Sequence, residues 1–222
     1  HVVANYDDGT EESYYELGKK RMKPNGKFQV IYAGGFDATR DLRTVIDSTV
    51  RISKEEIPDL KILLVGGKGS ELAALRKYMV EKFAMNRISL VEWSPLEEVR
   101  NLIKNSQVGL VPHIKSAHTD TTIPHKLFQY MAEGLPVVVS DCTPLKRIVI
   151  ESGCGLVYRS GDSRSLAGCL SQLYSDLSMW EKMSEAGYEA VRNRYNWKIA
   201  GEELLHIYRH LSERDLADRS PA

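Results

Sequence analysis

Six short apolar runs, separated by amphipathic stretches, constrain this chain more than any other feature. They begin at residues 28, 60, 88, 108, 136 and 154 and read FQVIYA, LKILLVG, ISLVE, VGLVP, PVVVS and CGLVY. Such alternation is typical of successive βα units around a parallel sheet. We therefore predict an α/β fold, a Rossmann-like parallel sheet flanked by helices. It occupies residues 28–212, after a polar lead-in at residues 1–27 and before a tail at residues 213–222.

Several helix starts are marked by their residues. Residues 94–97 (SPLE) and 178–181 (SMWE) have the spacing of a capping box, in which a Ser and a Glu satisfy backbone amides at a helix start. Asn196 precedes an apolar face that begins at Trp197. The pattern predicts three helices at the end of the chain.

Composition excludes several classes of protein. Thirty Lys and Arg balance thirty Asp and Glu, so no overall charge would attract nucleic acid. Cys142, Cys154 and Cys169 lack the paired spacing of zinc or redox motifs, which favours reduced, packed thiols. No apolar run is long enough for a membrane span and no signal peptide opens the chain, so we expect a cytoplasmic location.

The longest connection runs from Pro112 to Pro124 and leads into a helix with a plain apolar face, in the stretch HTDTTIPHKLFQYMAEGLPVVVSD at residues 118–141. Loops of this length in a compact domain are usually functional. A helix that begins at Pro124 leaves the amides of His125 and Lys126 free to bind an anion. The sequence therefore predicts a phosphate at this helix start, held by those amides and by Lys126 or Arg40.

Three other strand-to-helix loops are candidates, because ligands of open α/β sheets bind beyond the carboxyl ends of the strands. The loop at residues 34–41 (GGFDATRD) combines flexible Gly34 and Gly35 with one cation, Arg40. Residues 66–69 (GGKG) miss the glycine spacing of dinucleotide-binding proteins, which disfavours a nicotinamide oxidoreductase and favours a plain turn. Trp93 either flanks a planar base or packs as a core or surface residue.

Three segments carry a family resemblance: IPHKLFQYMAEGLPVVVSD, IYAGGFDATRDLRTVIDS and YNWKIAGEELLHIYRHL. Together they resemble the C-terminal, donor-binding half of family 4 retaining glycosyltransferases, which have the two-domain GT-B fold. The similarity runs from about Phe28 to Leu211. The opening HVVANYDDG resembles the family's junction between domains, so we expect an N-terminal acceptor domain to precede this chain.

The resemblance also implies roles for particular residues. The two glutamates that are common in the family fall at Thr121 and Gln129. Gln129 would hold the ribose of the nucleotide, and Thr121, with Asp120 and Thr122, would lie against the transferred sugar. Asp120 and Thr121 are the candidate catalytic residues.

The family's pair of diphosphate cations falls at Gly35 and Arg40. Only Arg40 keeps its charge, so Lys126 or His118 would have to replace the missing cation. A solvated arginine is the alternative reading of Arg40. Such enzymes need no metal or other cofactor, and His113, His118 and His125 lack the spacing of metal ligands.

We therefore predict a donor domain that binds a nucleoside-diphosphate sugar for retaining transfer to a glycan or a lipid-linked acceptor. The alternative is a nucleotide-sugar-binding module without catalysis, since Thr121 and Gln129 replace glutamates. Peripheral association of the full-length protein with the inner face of the membrane stays open.

Overall fold

The structure is a computed structural model that describes residues 27–218. Its strands follow the apolar runs: β1 Phe28–Ala33, β2 Leu60–Gly67, β3 Ile88–Glu92, β4 Val108–Val111, β5 Val137–Ser140 and β6 Gly155–Tyr158. Its helices are α1 Leu42–Arg51, α2 Gly69–Glu81, α3 Leu96–Lys104, α4 Lys126–Ala132, α5 Thr143–Ser152, α6 Ser163–Ser175, α7 Leu177–Asn193 and α8 Trp197–Asp218. All six predicted strands are confirmed, and so are the three closing helices.

The strands form one sheet in the order β3-β2-β1-β4-β5-β6, and every neighbouring pair is parallel. The chain builds outward from β1 to β3 and then returns to place β4 on the other side of β1. The order of the strands therefore reverses between β1 and β4. In open α/β sheets a reversal of this kind opens a crevice at the carboxyl ends of the two strands.

Helices cover both faces of the sheet, so the strands are apolar on both sides. In β1, Val30 and Tyr32 belong to one buried cluster, whereas Ile31 belongs to the other. Every residue of β4 and β5 is buried. This is why the runs read as continuous apolar stretches rather than as alternating ones.

The closing helices are tied to the sheet by hydrogen bonds as well as by packing. Trp180 in α7 is 1% exposed, and its indole nitrogen donates to the Gln107 carbonyl at 2.9 Å. Ser184, one turn further along α7, donates to the carbonyl of Gly134 at 2.6 Å. Gly134 itself ends α4 with a φ of 65°, a left-handed conformation that glycine adopts at little cost.

Both predicted capping boxes are wrong, whereas the helix start predicted at Asn196 is confirmed. Helix α3 begins after Pro95 without a side-chain cap, and the Ser94 hydroxyl donates instead to the Glu92 carbonyl at 3.4 Å. Helix α7 begins earlier than predicted, because the Asp176 carboxylate accepts from the Met179 amide at 2.9 Å. Asn196 does cap α8, where its side-chain oxygen accepts from the Ile199 amide at 3.0 Å.

The predicted limits of the domain stay predictions. Residues 1–26 of the predicted lead-in lie outside the described residues. At the other end, helix α8 continues through the predicted tail as far as Asp218.

Gly155 offers a test of the strand packing. It pairs with Val137, and a Cβ added to it would lie 1.9 Å from the Val137 carbonyl oxygen. Since that oxygen belongs to the backbone of a central strand, we expect Gly155→Ala to lower the free energy of unfolding by about 3 kcal/mol or more. Denaturant titration followed by circular dichroism measures the change.

The matched control is Gly168→Ala in helix α6, where an added Cβ meets nothing within 4 Å. Alanine is favoured over glycine in a helix by about 1 kcal/mol, so this variant should be as stable as the wild type or slightly more so. Equal stability of the two variants would contradict the packing at Gly155.

Candidate functional site

The carboxyl end of β1 is held by two buried tyrosines. The Tyr130 hydroxyl, from helix α4, accepts a hydrogen bond from the Ala33 amide at 2.8 Å. The Tyr32 hydroxyl donates to the Gly35 carbonyl at 2.5 Å. Burial raises the pKa of both tyrosines, so both hydroxyls keep their protons. These two hydrogen bonds therefore fix the position of the first residues of the loop that begins at Gly34.

Helix α4 brings Lys126 to this loop. The Lys126 ammonium lies 3.9 Å from the centroid of the Tyr32 ring. A Cβ added to Gly34 would lie 2.4 Å from the Lys126 nitrogen, so a side chain at position 34 would fill the space that the ammonium takes. No carboxylate lies within ion-pair distance of Lys126 in the part of the chain that the structure describes.

The environment of Lys126 disfavours its charge. Burial, together with repulsion from Arg40, lowers the pKa of Lys126 to about 7, and attraction to Asp37 opposes the shift only in part. The aromatic face of Tyr32 is its nearest favourable contact. An anion placed beside Lys126 would therefore meet an ammonium that lacks a counter-charge.

Arg40 lies at the end of the same loop and is held from two sides. Its Nε lies 3.3 Å from a carboxylate oxygen of Asp37, whose side chain is 52% exposed. Its Nη1 contacts Nε2 of His113, the residue that follows Pro112 beyond β4. The predicted cations Arg40 and Lys126 therefore come together at the β1–β4 crevice.

His113 is almost completely buried, with 1% of its surface exposed. Burial, followed by the charges of Arg40 and Lys126, lowers its pKa to about 3, with His118 adding to the shift and Asp37 opposing it. The imidazole is therefore neutral at physiological pH. Since a guanidinium can only donate, Nε2 is the acceptor in the contact with Arg40.

The long loop after β4 folds around Thr119, which is 1% exposed. The Thr119 hydroxyl donates to the Ile114 carbonyl at 2.6 Å and accepts from the Ser116 amide at 2.8 Å. The Asp120 amide then donates to the Ser116 carbonyl at 2.9 Å. The loop is thus built on its own hydrogen bonds, which gives its polar residues defined positions.

The two candidate catalytic residues are engaged within the protein. A carboxylate oxygen of Asp120 accepts from the Thr143 amide at the start of helix α5, at 2.8 Å. The Thr121 hydroxyl donates to the His118 carbonyl at 2.8 Å, and the Thr122 hydroxyl shares that acceptor at 3.3 Å. These contacts stabilise the conformation of the loop, and the catalytic roles of Asp120 and Thr121 stay predictions.

The start of helix α4 differs slightly from the prediction. The helix begins at Lys126, after His125, rather than at Pro124. The Leu127 amide donates to the Pro124 carbonyl at 3.1 Å. Among the described residues, the amides of His125 and Lys126 have no acceptor. Gln129 lies on the same helix, three residues beyond Lys126, and is partly exposed.

Trp93 is not part of this cluster. It follows β3, the edge strand, so two strand spacings separate it from β1. Strand spacing places it about 10 Å from the β1 loop in the plane of the sheet. Its side chain is 69% exposed. The turn at residues 66–69 lies nearer, since a Cβ at Gly66 would lie 2.7 Å from the Gly34 carbonyl oxygen.

The described residues contain neither a metal-binding cluster nor a membrane-spanning helix. Residues 27–218 contain no group of three or more His, Cys, Asp or Glu side chains placed to hold a metal ion. The same residues contain no helix with both the length and the apolar character to cross a bilayer.

Sequence reasoning missed three residues that shape the site. Tyr32 lies in an apolar strand and Tyr130 on an apolar helix face. An aromatic residue in such a position usually packs in the core, so the sequence did not mark either residue as part of the site. His113 was considered as a possible metal ligand, whereas the structure buries it against Arg40. No local signal marks His113 in the sequence, because the pairing of β1 with β4 is seen only in the structure.

The fold and the site define a Rossmann-like α/β domain, with cations at the reversal of the strand order. The chain matches the family described as Glycosyl transferases group 1 over residues 16–190. Because the match covers most of the chain, this protein belongs to that family.

A phosphatidyl-myo-inositol mannosyltransferase of Mycobacterium leprae is 27% identical over 186 residues, which are 81% of this chain and 46% of the relative. The sucrose-phosphate synthase of Thermosynechococcus elongatus superposes with a TM-score of 0.75 at 22% identity, covering 92% of this chain and 49% of that protein. Anabaena HepE, solved with UDP, gives a TM-score of 0.69 at 13% identity, covering 91% and 54%. The chain thus spans about half the length of these proteins, and the predicted α/β fold class is confirmed.

The buried neutral imidazole predicts how stability depends on pH. Between pH 7 and pH 5 the unfolded chain protonates His113, whose ordinary pKa is 6.5, whereas the folded chain does not, since its pKa is about 3. The unfolded state then binds more protons, so the free energy of unfolding falls as the pH falls. We expect the wild type to lose about 2 kcal/mol more than a His113→Gln variant over this range.

Urea titrations of both proteins at pH 7 and pH 5 measure the difference. The glutamine variant is the matched control because it does not titrate and still offers an oxygen to Arg40. Parallel losses in the two proteins would show that His113 is not held neutral.

Proposed function

We propose that this chain is the donor-binding half of a retaining glycosyltransferase that uses a nucleoside-diphosphate sugar. The diphosphate would lie in the β1–β4 crevice, between the loop that begins at Gly34 and the start of helix α4. Arg40 and Lys126 would contact its oxygens. The amides of His125 and Lys126 would add uncharged donors.

One observation carries the proposal: Arg40 and Lys126 converge on the β1–β4 crevice with too little negative charge to balance them. The carboxylate near them is that of Asp37, which pairs with Arg40 and is half-exposed. Lys126 has an aromatic ring as its contact instead of an acid. A diphosphate supplies the negative charge that the site lacks, and it would stabilise the protonated form of Lys126.

The position of Lys126 also bears on the cation missing at Gly35. Lys126 reaches the β1 loop from the opposite side of the crevice and lies against Gly34. Its ammonium is therefore next to the position where the related enzymes carry a cation on the loop itself. This supports Lys126, rather than His118, as the replacement.

The same contacts would also assist the departure of the nucleoside diphosphate. Departure of a nucleoside diphosphate from the anomeric carbon leaves negative charge on the phosphate oxygens. Fixed cations and amide donors stabilise that charge without a metal ion. Gln129, one turn along the helix from Lys126, would hold the ribose hydroxyls through an amide that both donates and accepts.

Transfer requires more than this domain. The acceptor hydroxyl has to be held against the anomeric carbon, and that positioning is a large share of the rate of any two-substrate reaction. This chain spans about half the length of its relatives. We therefore assign acceptor binding, to a glycan or a lipid-linked acceptor, to a partner half of the full-length protein.

A second candidate is a nucleotide-sugar-binding module without catalysis. It is favoured by the internal hydrogen bonds of Asp120 and Thr121, which the sugar would have to share or displace. The activity of the full-length protein, measured beside its Gln129→Glu variant, separates the two candidates. Turnover by the wild type would exclude the inactive module, whereas turnover by the variant alone would support it.

Lys126→Met tests the diphosphate site. Loss of a charge-assisted contact costs about 1.5 to 3 kcal/mol, so we expect affinity for UDP and GDP to fall roughly 10- to 100-fold. Affinity for uridine and guanosine should not change. In the wild type, affinity for the diphosphates should also decline between pH 7 and pH 9, because the pKa of Lys126 in the unliganded protein is about 7.

Isothermal titration calorimetry measures both effects. The control is Lys68→Met, which removes an equal charge from an exposed position in the turn after β2 and should leave affinity unchanged. Unaltered binding by Lys126→Met, or an equal pH dependence in that variant and the wild type, would contradict the role of Lys126.

The division of labour between the two halves gives another expectation. This 222-residue chain should bind donor but transfer almost no sugar to an acceptor, because we assign the positioning of the acceptor to the partner half. Slow hydrolysis of the donor is compatible with this. A transfer assay that compares the chain with the full-length protein on one donor and acceptor measures the ratio, and equal rates would show that the chain is a complete enzyme.

A further inference from the structure

We propose that His113 is a positioning residue, which accepts a hydrogen bond from Arg40 and so points the guanidinium toward the diphosphate. The inference rests on the proposed function, because it assigns Arg40 a phosphate to contact. It adds a residue that has no charge to offer a ligand and would act only through Arg40.

The backbone places the two residues opposite each other. Arg40 and His113 form an isolated antiparallel bridge between the loops after β1 and β4. The Asp41 amide donates to the Pro112 carbonyl at 2.6 Å, and the Ile114 amide donates to the Thr39 carbonyl at 2.9 Å. These bonds fix the separation of the two loops, and directly opposed residues of such a bridge have neighbouring side chains.

The side chains of Arg40 and His113 are placed for a hydrogen bond from Arg40 to His113. Nε2 of the imidazole faces Nη1 of Arg40, and the buried position of His113 leaves the ring little freedom to turn away. The titratable groups that act on the imidazole are Arg40, Lys126 and His118, which disfavour a second proton, and Asp37, which opposes them. Burial, more than these groups, keeps the ring neutral and Nε2 available as an acceptor.

A neutral acceptor suits a site that has to stay positive. A carboxylate in place of His113 would also orient Arg40, but it would cancel the charge that a diphosphate needs. The imidazole orients the guanidinium and leaves its charge intact. The Nη1 group of Arg40 contacts His113 and its Nε lies at ion-pair distance from Asp37, so others of the five N–H donors of the guanidinium remain for a ligand.

A purely structural role explains the side chain less well. The Ser160 hydroxyl donates to the backbone carbonyl of His113, a contact that any residue at this position could make. Nδ1, in contrast, is buried and has no hydrogen-bond partner among the described residues. Buried polar atoms without a partner are costly, so an apolar residue would serve better if packing were the only requirement.

The test compares two amides of different length. His113→Gln can place its oxygen near the position of Nε2, whereas His113→Asn is too short to reach Arg40. Calorimetry with UDP and GDP should show a roughly tenfold loss of affinity for His113→Asn, and a change within about threefold for His113→Gln. His113→Phe, which keeps the ring without an acceptor, should behave like His113→Asn, and thermal unfolding checks that each variant is folded.

Two further measurements distinguish positioning from a general loss of structure. Uridine and guanosine, which lack phosphate, should bind all the variants equally. In an Arg40→Ala background, His113→Asn should cost no further affinity, because the residue that it positions is absent.

The inference is overturned if His113→Asn binds the diphosphates as tightly as the wild type, if His113→Gln loses as much affinity as His113→Asn, or if the loss persists without Arg40. These results leave the proposed function in place, provided that the wild type binds UDP or GDP. A wild type that binds neither of them overturns both the proposed function and the inference.

Discussion

Tyr130 connects the three elements on which the site depends. Its ring lies directly over Gly109 of β4, where an added Cβ would approach the ring to 2.4 Å, and its hydroxyl holds the last amide of β1. Helix α4 has only seven residues, too few for a helix to be stable by itself, so this anchor determines where it sits. Lys126 lies four residues earlier, on the same face of the helix, and is therefore delivered to the end of β1.

The electrostatics of the site follow from that geometry. Two cations meet at the end of a buried sheet, and the groups nearest to them are mostly neutral: a phenol ring beside Lys126 and an imidazole beside Arg40. Burial first, and repulsion from Arg40 second, lower the pKa of Lys126, so holding both cations here is unfavourable without an anion. Perturbed pKa values of this kind cluster at functional sites, so the cluster supports the diphosphate site proposed above.

Most of the fold could be predicted from the sequence because buried strands differ in composition from the helices between them. The six apolar runs match the six strands, and parallel packing explains their continuity. The helix starts were harder to predict from the sequence. At α3 and α7 the expected serine caps do not form, since the helices begin at other residues, and a capping pattern in sequence cannot show which of two nearby polar residues will be used.

The site could be predicted only in part for a different reason. Arg40 and Lys126 were predicted because ligands of open α/β sheets bind at the ends of strands, and the structure places both beside the β1–β4 crevice. His113 was not recognised as part of the cluster, since its partner Arg40 is 73 residues away in sequence and nothing local distinguishes a buried histidine from an exposed one. Trp93 follows β3, two strands away from β1, so its contact with a base stays a prediction, and the order of strands is not readable from the runs themselves.

Hydrogen bonds from backbone amides to carboxylates connect the loops around the crevice. The Asp41 carboxylate accepts from the Gly161 amide at 2.8 Å, the Asp141 carboxylate from the Ser160 amide at 2.9 Å, and Asp120 from the Thr143 amide. Each bond ties one loop to the next, so the entropy of ordering them is lost when the chain folds rather than when a ligand binds. A pocket of this kind is preorganised, and in a two-domain enzyme built on it, closure around the substrate would fall to the rotation of one half against the other.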